Sequence, residues 1–516
     1  MLAAELKLPK LDYAEMAPIL ILLGAACVGV LVEAFVPRRA RHLTQFVVSV
    51  AALVAALVAV VRVANSGRRE FTADVALAID GPALFLQGTL IVLGLVSVLL
   101  IAERSLERGG PFVAQAAIAV GSEADRQQVR SSGATEVFPL SLFALSGMLI
   151  FVSANDLLTM FVALEVFSLP LYLLCALARR RRLVSQEAAM KYFLLGAFAS
   201  AFFIFGMALL YGFAGAVQFD AIHTAAQSAS TSPLLLYCGL ALVAVGLLFK
   251  VAAVPFHVWT PDVYQGAPTP VTALMAACTK VAAFGGLLRV LYVGFQRVQW
   301  DVQPVLGTIA ILTMLVGAVL AVTQTDIKRL LAYSSIANAG YLLVGALAFS
   351  RQGLSTSMFY LAAYGFSVIA AFAIVTLVRD EDGEATHLSR WAGLGRRSPV
   401  IAGIFTFLML AFAGIPLTSG FTSKFAVFGA ALASGAEWQV ASVIAGVVTS
   451  MILAFPYLRV VVMLWLSEPT EQSPTVAIPG AFTSAAVMVG VLATFLLGVV
   501  PSPVLELADK AGAFLR

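Results

Sequence analysis

Residues 234–293 read LLLYCGLALVAVGLLFKVAAVPFHVWTPDVYQGAPTPVTALMAACTKVAAFGGLLRVLYV. An apolar run long enough to cross a bilayer holds Lys250 and then meets Pro255, His257 and a Pro/Gly-rich turn. A second apolar run follows, with Lys280 near its middle. A charged side chain at the centre of a spanning helix costs about 2.5–3.5 kcal/mol, and such residues face a bundle interior or a water-filled path. A proline there removes a backbone donor, which is tolerable only where protein or cavity water satisfies the freed carbonyl. Two lysines beside a broken helix therefore point to an ion site at mid-membrane depth.

The rest of the chain fits that reading. Of 516 residues, 61% are hydrophobic and 12% charged, with mean hydropathy +0.96, which excludes an ordinary soluble globule. The net charge of +4 gives no case for nucleic acid and is informative only through its placement. Cys27, Cys175, Cys238 and Cys278 lie singly in apolar runs, without the spacing of a disulfide framework, iron–sulfur site or zinc site. Dinucleotide, Walker and Ser/His/Asp motifs are absent from the sequence. The first apolar run, 17–36, has no cleavage pattern after it and reads as a retained spanning helix.

Spans of about 20 apolar residues fall at 17–36, 43–61, 82–102, 138–154, 157–178, 186–212, 233–265, 268–288, 302–323, 330–350, 355–378, 399–431, 439–467 and 478–500. The expected fold is an all-α polytopic membrane protein of about 14 transmembrane helices. Seventeen of the Lys and Arg residues fall in odd-numbered loops, against ten in even-numbered loops and the termini, which puts both termini on the outer side. The tetra-Arg run 179–182 reads as a topology signal. The longest polar insertion, 103–136, reads as a cytoplasmic, partly mobile segment.

The seventh and twelfth spans break the pattern alike. Each is about 33 residues, too long for one straight crossing, and each pairs a lysine with a proline: Lys250 with Pro255, and Lys424 with Pro416. Proline-broken helices in corresponding places mark inverted repeats around a shared site. The division expected is an N-terminal part (1–137, helices 1–3 and a cytoplasmic loop), a first repeat (138–295, helices 4–8), a second, inverted five-helix repeat (296–467, helices 9–13) and helix 14 (468–516).

Glu165 stands ninth in the fifth span, near the bilayer middle, and a buried lysine is its natural partner. Burial raises a carboxyl pKa and lowers a lysine pKa while mutual proximity does the opposite, so moving charge near such a pair switches whether the lysine holds its proton. A fixed ion pair that ties helices together is the plainer alternative. Lys191 lies six residues from its helix start, where snorkelling to the interface competes with a buried role, and Arg459 favours snorkelling. His257 either shuttles protons or hydrogen-bonds the broken helix. Together Lys191, Lys250, Lys280, Lys424 and Glu165 would cost roughly 10 kcal/mol if they faced lipid, so they share an interior. The inference is a line of protonatable groups and internal water in the membrane plane.

The strings KYFLLGAFAS (191–200), FKVAAVPFHVWTPDVYQGAPTPVTALMAACTK (249–280), TDIKRLLAYSSIANAGYLL (325–343) and AGIPLTSGFTSKF (413–425) closely resemble the antiporter-like membrane subunits of proton-pumping NADH:quinone oxidoreductase, bacterial complex I, above all the subunit N branch. The resemblance spans roughly 138–467. It implies that the family's buried glutamate falls on Glu165, its helix-seven lysine on Lys250, and further proton-path lysines on Lys191, Lys280 and Lys424. It also implies a translocase subunit in a bacterial inner membrane, partnered by the other membrane subunits of the complex. No cofactor is expected in this chain; NADH, flavin, iron–sulfur clusters and quinone would belong to partner subunits. The 103–136 insertion is longer than the family pattern. A cation/proton antiporter subunit and a non-pumping subunit that only seals the membrane arm are the alternatives.

Overall fold

The structure is a computed structural model that describes residues 11–107, 110–113, 122–123, 134–227, 233–380, 383–468 and 475–515. Most of the 103–136 insertion lies outside these residues. The main helices are α1 (Ala17–Phe35), α2 (Arg38–Ser66), α3 (Gly81–Ala102), α4 (Val137–Ser153), α5 (Leu157–Cys175), α6 (Arg182–Ala214), α7 (Pro233–Val251) and α8 (Trp259–Gly266). They are followed by α9 (Thr269–Gly294), α10 (Gln299–Thr323), α11 (Ile327–Ala346), α12 (Arg351–Leu377), α13 (Pro399–Ala413), α14 (Ser419–Ala433), α15 (Glu437–Leu466), α16 (Ala481–Val499) and α17 (Ser502–Lys510). Among the described residues, eleven helices are long and apolar enough to cross a membrane, with two shorter apolar helices at α4 and α13. The chain is a multi-pass membrane protein.

Side-chain caps set several helix starts. Asp80, Asp156, Asp326 and Ser350 accept the orphan backbone N–H groups at the heads of α3, α5, α11 and α12. The helices then sort by burial. α9 is wholly buried and α12 almost so, whereas only about a third of the apolar stretch of α1, α2, α6 and α15 is covered by protein. These outer helices present large apolar side chains such as Leu31, Phe198, Phe205 and Met451 outward, a surface stable only against lipid or another apolar protein.

The connections segregate to two opposite ends. At one end the tetra-Arg loop meets those after α3, α10 and α12: Arg180 and Arg379 both bind Glu107, at 2.7 and 3.0 Å, Arg181 donates to Thr386, and Leu388 N donates to Thr325 O. Arg179 clamps the insertion's described part, donating to Gly110 O and Phe112 O. The run read as a topology signal thus also staples loops together. Buried Glu103 accepts N–H and hydroxyl bonds from Thr483 at the head of α16. Burial acts to raise its pKa, but hydrogen bonds from Ser105 and Thr483 outweigh burial and hold the carboxyl below the usual carboxylate range. At the other end Asn155 N donates to Ala76 O, Tyr292 stacks on Phe349, and Arg351 binds Asp509.

Two residues counted as loop bases in the sequence are internal. Arg289 lies within α9 at 0% exposure and makes a bidentate pair with Asp80 at 2.8 and 2.9 Å. Lys328 stands in the first turn of α11 at 2% exposure. A window average hides such single charges; inside the fold Asp80 holds Arg289, and Ala267 O and Thr269 Oγ1 hold Lys328.

Candidate functional site

α7 stops at Val251, and the chain runs without helix from 252 to 258 before α8 begins. Ala252 takes the left-handed conformation at φ 63°, and protein groups satisfy the freed backbone: Thr313 Oγ1 accepts from Val254 N at 3.0 Å, and Trp259 Nε1 donates to Phe249 O at 3.0 Å. Lys250, 3% exposed, sits one residue before the end of α7. Its ammonium donates to Ser168 Oγ at 2.7 Å and Tyr172 OH at 3.4 Å. The rings of Phe167, Tyr172, Tyr192 and Phe249 surround it with centroids at 5.3–5.7 Å, where their negative faces stabilise a cation.

Glu165 is half-buried on α5, and Ser200 Oγ on α6 donates to its Oε1 at 2.5 Å. Ser200 holds Glu165, while Ser168 and Tyr172 hold Lys250, so each charge has its own hydroxyl partners. Ser168 follows Glu165 by three residues, so both project from one face of α5. None of the described ion pairs involves Lys250, Lys280, Lys424 or Glu165, and the fixed ion pair weighed as the plainer reading is absent from them.

A second interruption separates α13 from α14. Here the lysine follows the break and reaches back. Lys424 Nζ donates to Phe412 O at 3.0 Å and Ala413 O at 3.4 Å, two carbonyls that α13 leaves orphaned at its negative end, and to Ser450 Oγ at 3.0 Å. A Cβ on Gly414, itself at φ +86°, would come within 3.3 Å of that ammonium. The glycine both turns the chain and leaves room for the lysine.

Between the breaks lies Lys280, preceded by a π-helical turn at Met275–Thr279. Its Nζ donates to Ser335 O at 2.6 Å, beneath the ring of Tyr364 at 5.6 Å. Tyr364 also lines a small cavity with Asn338, Tyr360, Ser367, Ser423 and Lys424. Tyr360 OH donates to Asn338 Oδ1 at 2.5 Å, and Asn338 Nδ2 to Ser334 O at 2.8 Å. Polar groups therefore run from the neighbourhood of Lys280 to Lys424. Neither Asn338 nor Tyr360 stands out in sequence, where hydroxyl and amide groups in apolar runs read as ordinary packing.

Lys191 belongs to a different environment. Its side chain is 43% exposed and binds Glu187 and Asp262, each at 2.7 Å, while Asp262 also binds Arg329 at 2.6 Å. This ion cluster joins α6, α8 and α11 near the arginine-rich end. His257 is half-buried within the first interruption. Arg459 donates to Val322 O and Gln324 O at the end of α10. Among the described residues no cluster of three or more His, Cys, Asp or Glu is suited to a metal ion.

A bundle of apolar helices with buried lysines at two helix breaks, and polar groups running from a third buried lysine to the second break, defines an antiporter-like membrane protein. The family model for "NADH:quinone oxidoreductase/Mrp antiporter, TM" matches residues 154–453. NADH-quinone oxidoreductase subunit N of Salinispora arenicola is 67% identical over 521 residues, covering 99% of this chain and 100% of the relative. The protein of the same name in Saccharopolyspora erythraea is 58% identical, covering 99% of each. A chain of respiratory complex I from Thermus thermophilus superposes with TM-score 0.76 at 32% identity, over 95% of this chain and 99% of that one. A chain of the Mrp complex from a Dietzia species shares the fold, with TM-score 0.80 at 23% identity over 96% and 97%. The chain belongs to the NADH-quinone oxidoreductase subunit N family, within the wider NADH:quinone oxidoreductase/Mrp antiporter group.

Proposed function

We propose that this chain is a proton-translocating membrane subunit of NADH:quinone oxidoreductase, in which electron transfer in partner subunits drives protons through buried Lys and Glu residues. The observation that carries the reading is the line of lysines, Lys250, Lys280 and Lys424, held in protein interior at the two helix interruptions and between them. Their alignment in a chain 67% identical to a subunit N supports proton transfer over a purely sealing role. In this reading the chain crosses the membrane fourteen times, counting α7 with α8 and α13 with α14 as single broken crossings. Helices 4–8 and 9–13 are inverted repeats. The arginine-rich end faces the cytoplasm of a bacterium and both termini face outward. NADH, flavin, iron–sulfur clusters and quinone reside in partner subunits, with the other membrane subunits of the complex as neighbours.

Lys250 takes a proton from the cytoplasmic side when Glu165 releases its hold, passes it toward Lys280, and the Tyr364–Asn338–Tyr360 passage hands it to Lys424 for release outside. Lys191 and Asp262 set the charge near the cytoplasmic end, and His257 sits beside the first break as a proton-exchanging group. Each transfer moves one proton between a nitrogen and a neighbouring hydroxyl or water, so the lysines regain their starting state after a cycle.

Lys250→Ala in membranes tests this directly. The complex assembles, while NADH:quinone activity and proton pumping fall together by about 10²-fold, the scale on which a positioned proton-transfer group acts. Normal pumping in an assembled complex would overturn the assignment. The second reading, a sodium- or potassium-coupled antiporter subunit, draws on the fold shared with the Mrp chain; sodium-dependent proton movement without NADH oxidation would favour it.

A further inference from the structure

At the arginine-rich end a cavity opens beside the head of α9. Its lining includes Glu107, Arg181, Arg379, Glu384, Thr269 and Lys328. Three of these make a single hydrogen-bonded row. Lys328 Nζ donates to Thr269 Oγ1 at 3.0 Å, and also to Ala267 O at 2.8 Å; Thr269 Oγ1 in turn donates to Glu384 Oε2. Lys328 and Thr269 are 2% and 1% exposed, whereas Glu384, on the hairpin of β3 (Val378–Asp380) and β4 (Gly383–Glu384), reaches the cavity side. A buried ammonium is thus joined to a more accessible carboxylate through one hydroxyl that is at once acceptor and donor.

We propose that Glu384, Thr269 and Lys328 form a second proton inlet, selective against metal cations, that feeds Lys280 from the arginine-rich end in the same cycle that loads Lys250, each inlet being required for turnover. The inference rests on the proton-translocating reading above and extends it. Neutral Lys328 faces a protonated Glu384 at the start of the step. The carboxylic O–H bond breaks as a new O–H forms on Thr269 Oγ1, while Thr269's original O–H breaks and a new N–H forms on Lys328. Glu384 ends as a carboxylate, Lys328 as an ammonium, and threonine is unchanged. The donor directions in the structure are those of this loaded state.

The onward direction is set by α11. Ser335, whose carbonyl holds Lys280, follows Lys328 by seven residues, two turns along the same face and about 10 Å at the rise of an α-helix. Selectivity follows from the charges around the row. Arg180 and Arg379 share Glu107, Arg181 holds the Glu384 and Thr386 segment, and Lys328 closes the inner end. A sodium ion would have to travel through this positive surrounding as a body, whereas a proton crosses by exchange of bonds through Thr269.

The test uses membranes bearing the whole complex, with assembly measured on native gels and NADH-driven pumping measured for Thr269→Val, Thr269→Ser and Glu384→Gln. Val matches Thr in shape but lacks the hydroxyl; Ser restores it; Gln fills the carboxylate site without carrying a proton. The expectation is a loss of pumping of at least about threefold for Thr269→Val and Glu384→Gln, with Thr269→Ser close to the parent. Parent-level pumping by Thr269→Val, or equal losses for Val and Ser, overturns the inlet. If Thr269→Val does not assemble, parent-level pumping by Glu384→Gln overturns it instead. Pumping by the parent is unchanged when sodium is replaced by choline, and a sodium requirement removes the claimed selectivity. Lys250→Ala measured alongside separates the two ideas: loss there with normal Thr269→Val rejects the inlet alone, and normal pumping in both rejects proton translocation through this chain.

Discussion

The two helix interruptions solve the same problem in opposite ways. At the first, Lys250 precedes the break and its ammonium rests against hydroxyls and four aromatic rings, with Glu165 one helical turn before its partner Ser168 on α5. At the second, Lys424 follows the break and turns back to backbone carbonyls at the end of α13, with Ser450 as its side-chain partner. Carbonyl dipoles are fixed by the fold, whereas a carboxylate changes charge with its proton. The first lysine is therefore adjustable and the second is held by a constant field. A pump that must load on one side and release on the other needs that asymmetry.

The comparison makes ordered predictions. Lys424→Ala has the largest effect here: pumping falls by about 10²-fold because the proposed path loses its last proton carrier. Retained pumping in the assembled variant would place release elsewhere. Glu165→Gln preserves the contact with Ser200 but removes the switching charge, so coupled activity falls about tenfold, while replacing Ser450 by Ala near Lys424 changes it far less. Equal losses at both positions would erase the distinction between an adjustable and a constant site. Lys191→Met has the smallest effect. Its ion pairs are partly exposed and screened, worth about 1 kcal/mol or less, so assembly persists and activity falls no more than a few-fold. A loss as deep as that of Lys424→Ala would move Lys191 from a charge-setting position into the path itself.

Much of the candidate site was legible in the chain because buried charge is rare enough to be conspicuous. Lys250, Lys280 and Lys424 each interrupt a long apolar run, and each is buried at 3%, 5% and 6% exposure. Glu165 was legible for the same reason, but its geometry was not: in place of the direct lysine partner expected from charge alone, Glu165 binds Ser200 while Lys250 binds Ser168. Serine three residues after the glutamate was a usable signal, since that spacing sets both on one helix face. Asn338 and Tyr360 carried none, because an amide and a phenol in an apolar helix are distinguished only by what stands opposite.

Local composition is enough to make the chain a bundle of membrane helices, to interrupt two spans beside lysines, and to concentrate the bases in alternate loops. Hydropathy, proline chemistry and charge are properties of local composition, so they survive without coordinates. The tertiary structure alone decided which polar groups meet. It pairs Arg289 with Asp80 across 209 positions, brings Glu384 to Thr269 across 115, and places Tyr364 between Lys280 and the cavity of Lys424. Hydrogen bonds act over about 3 Å, and groups so far apart along the chain come within that reach only when helices from distant stretches pack side by side.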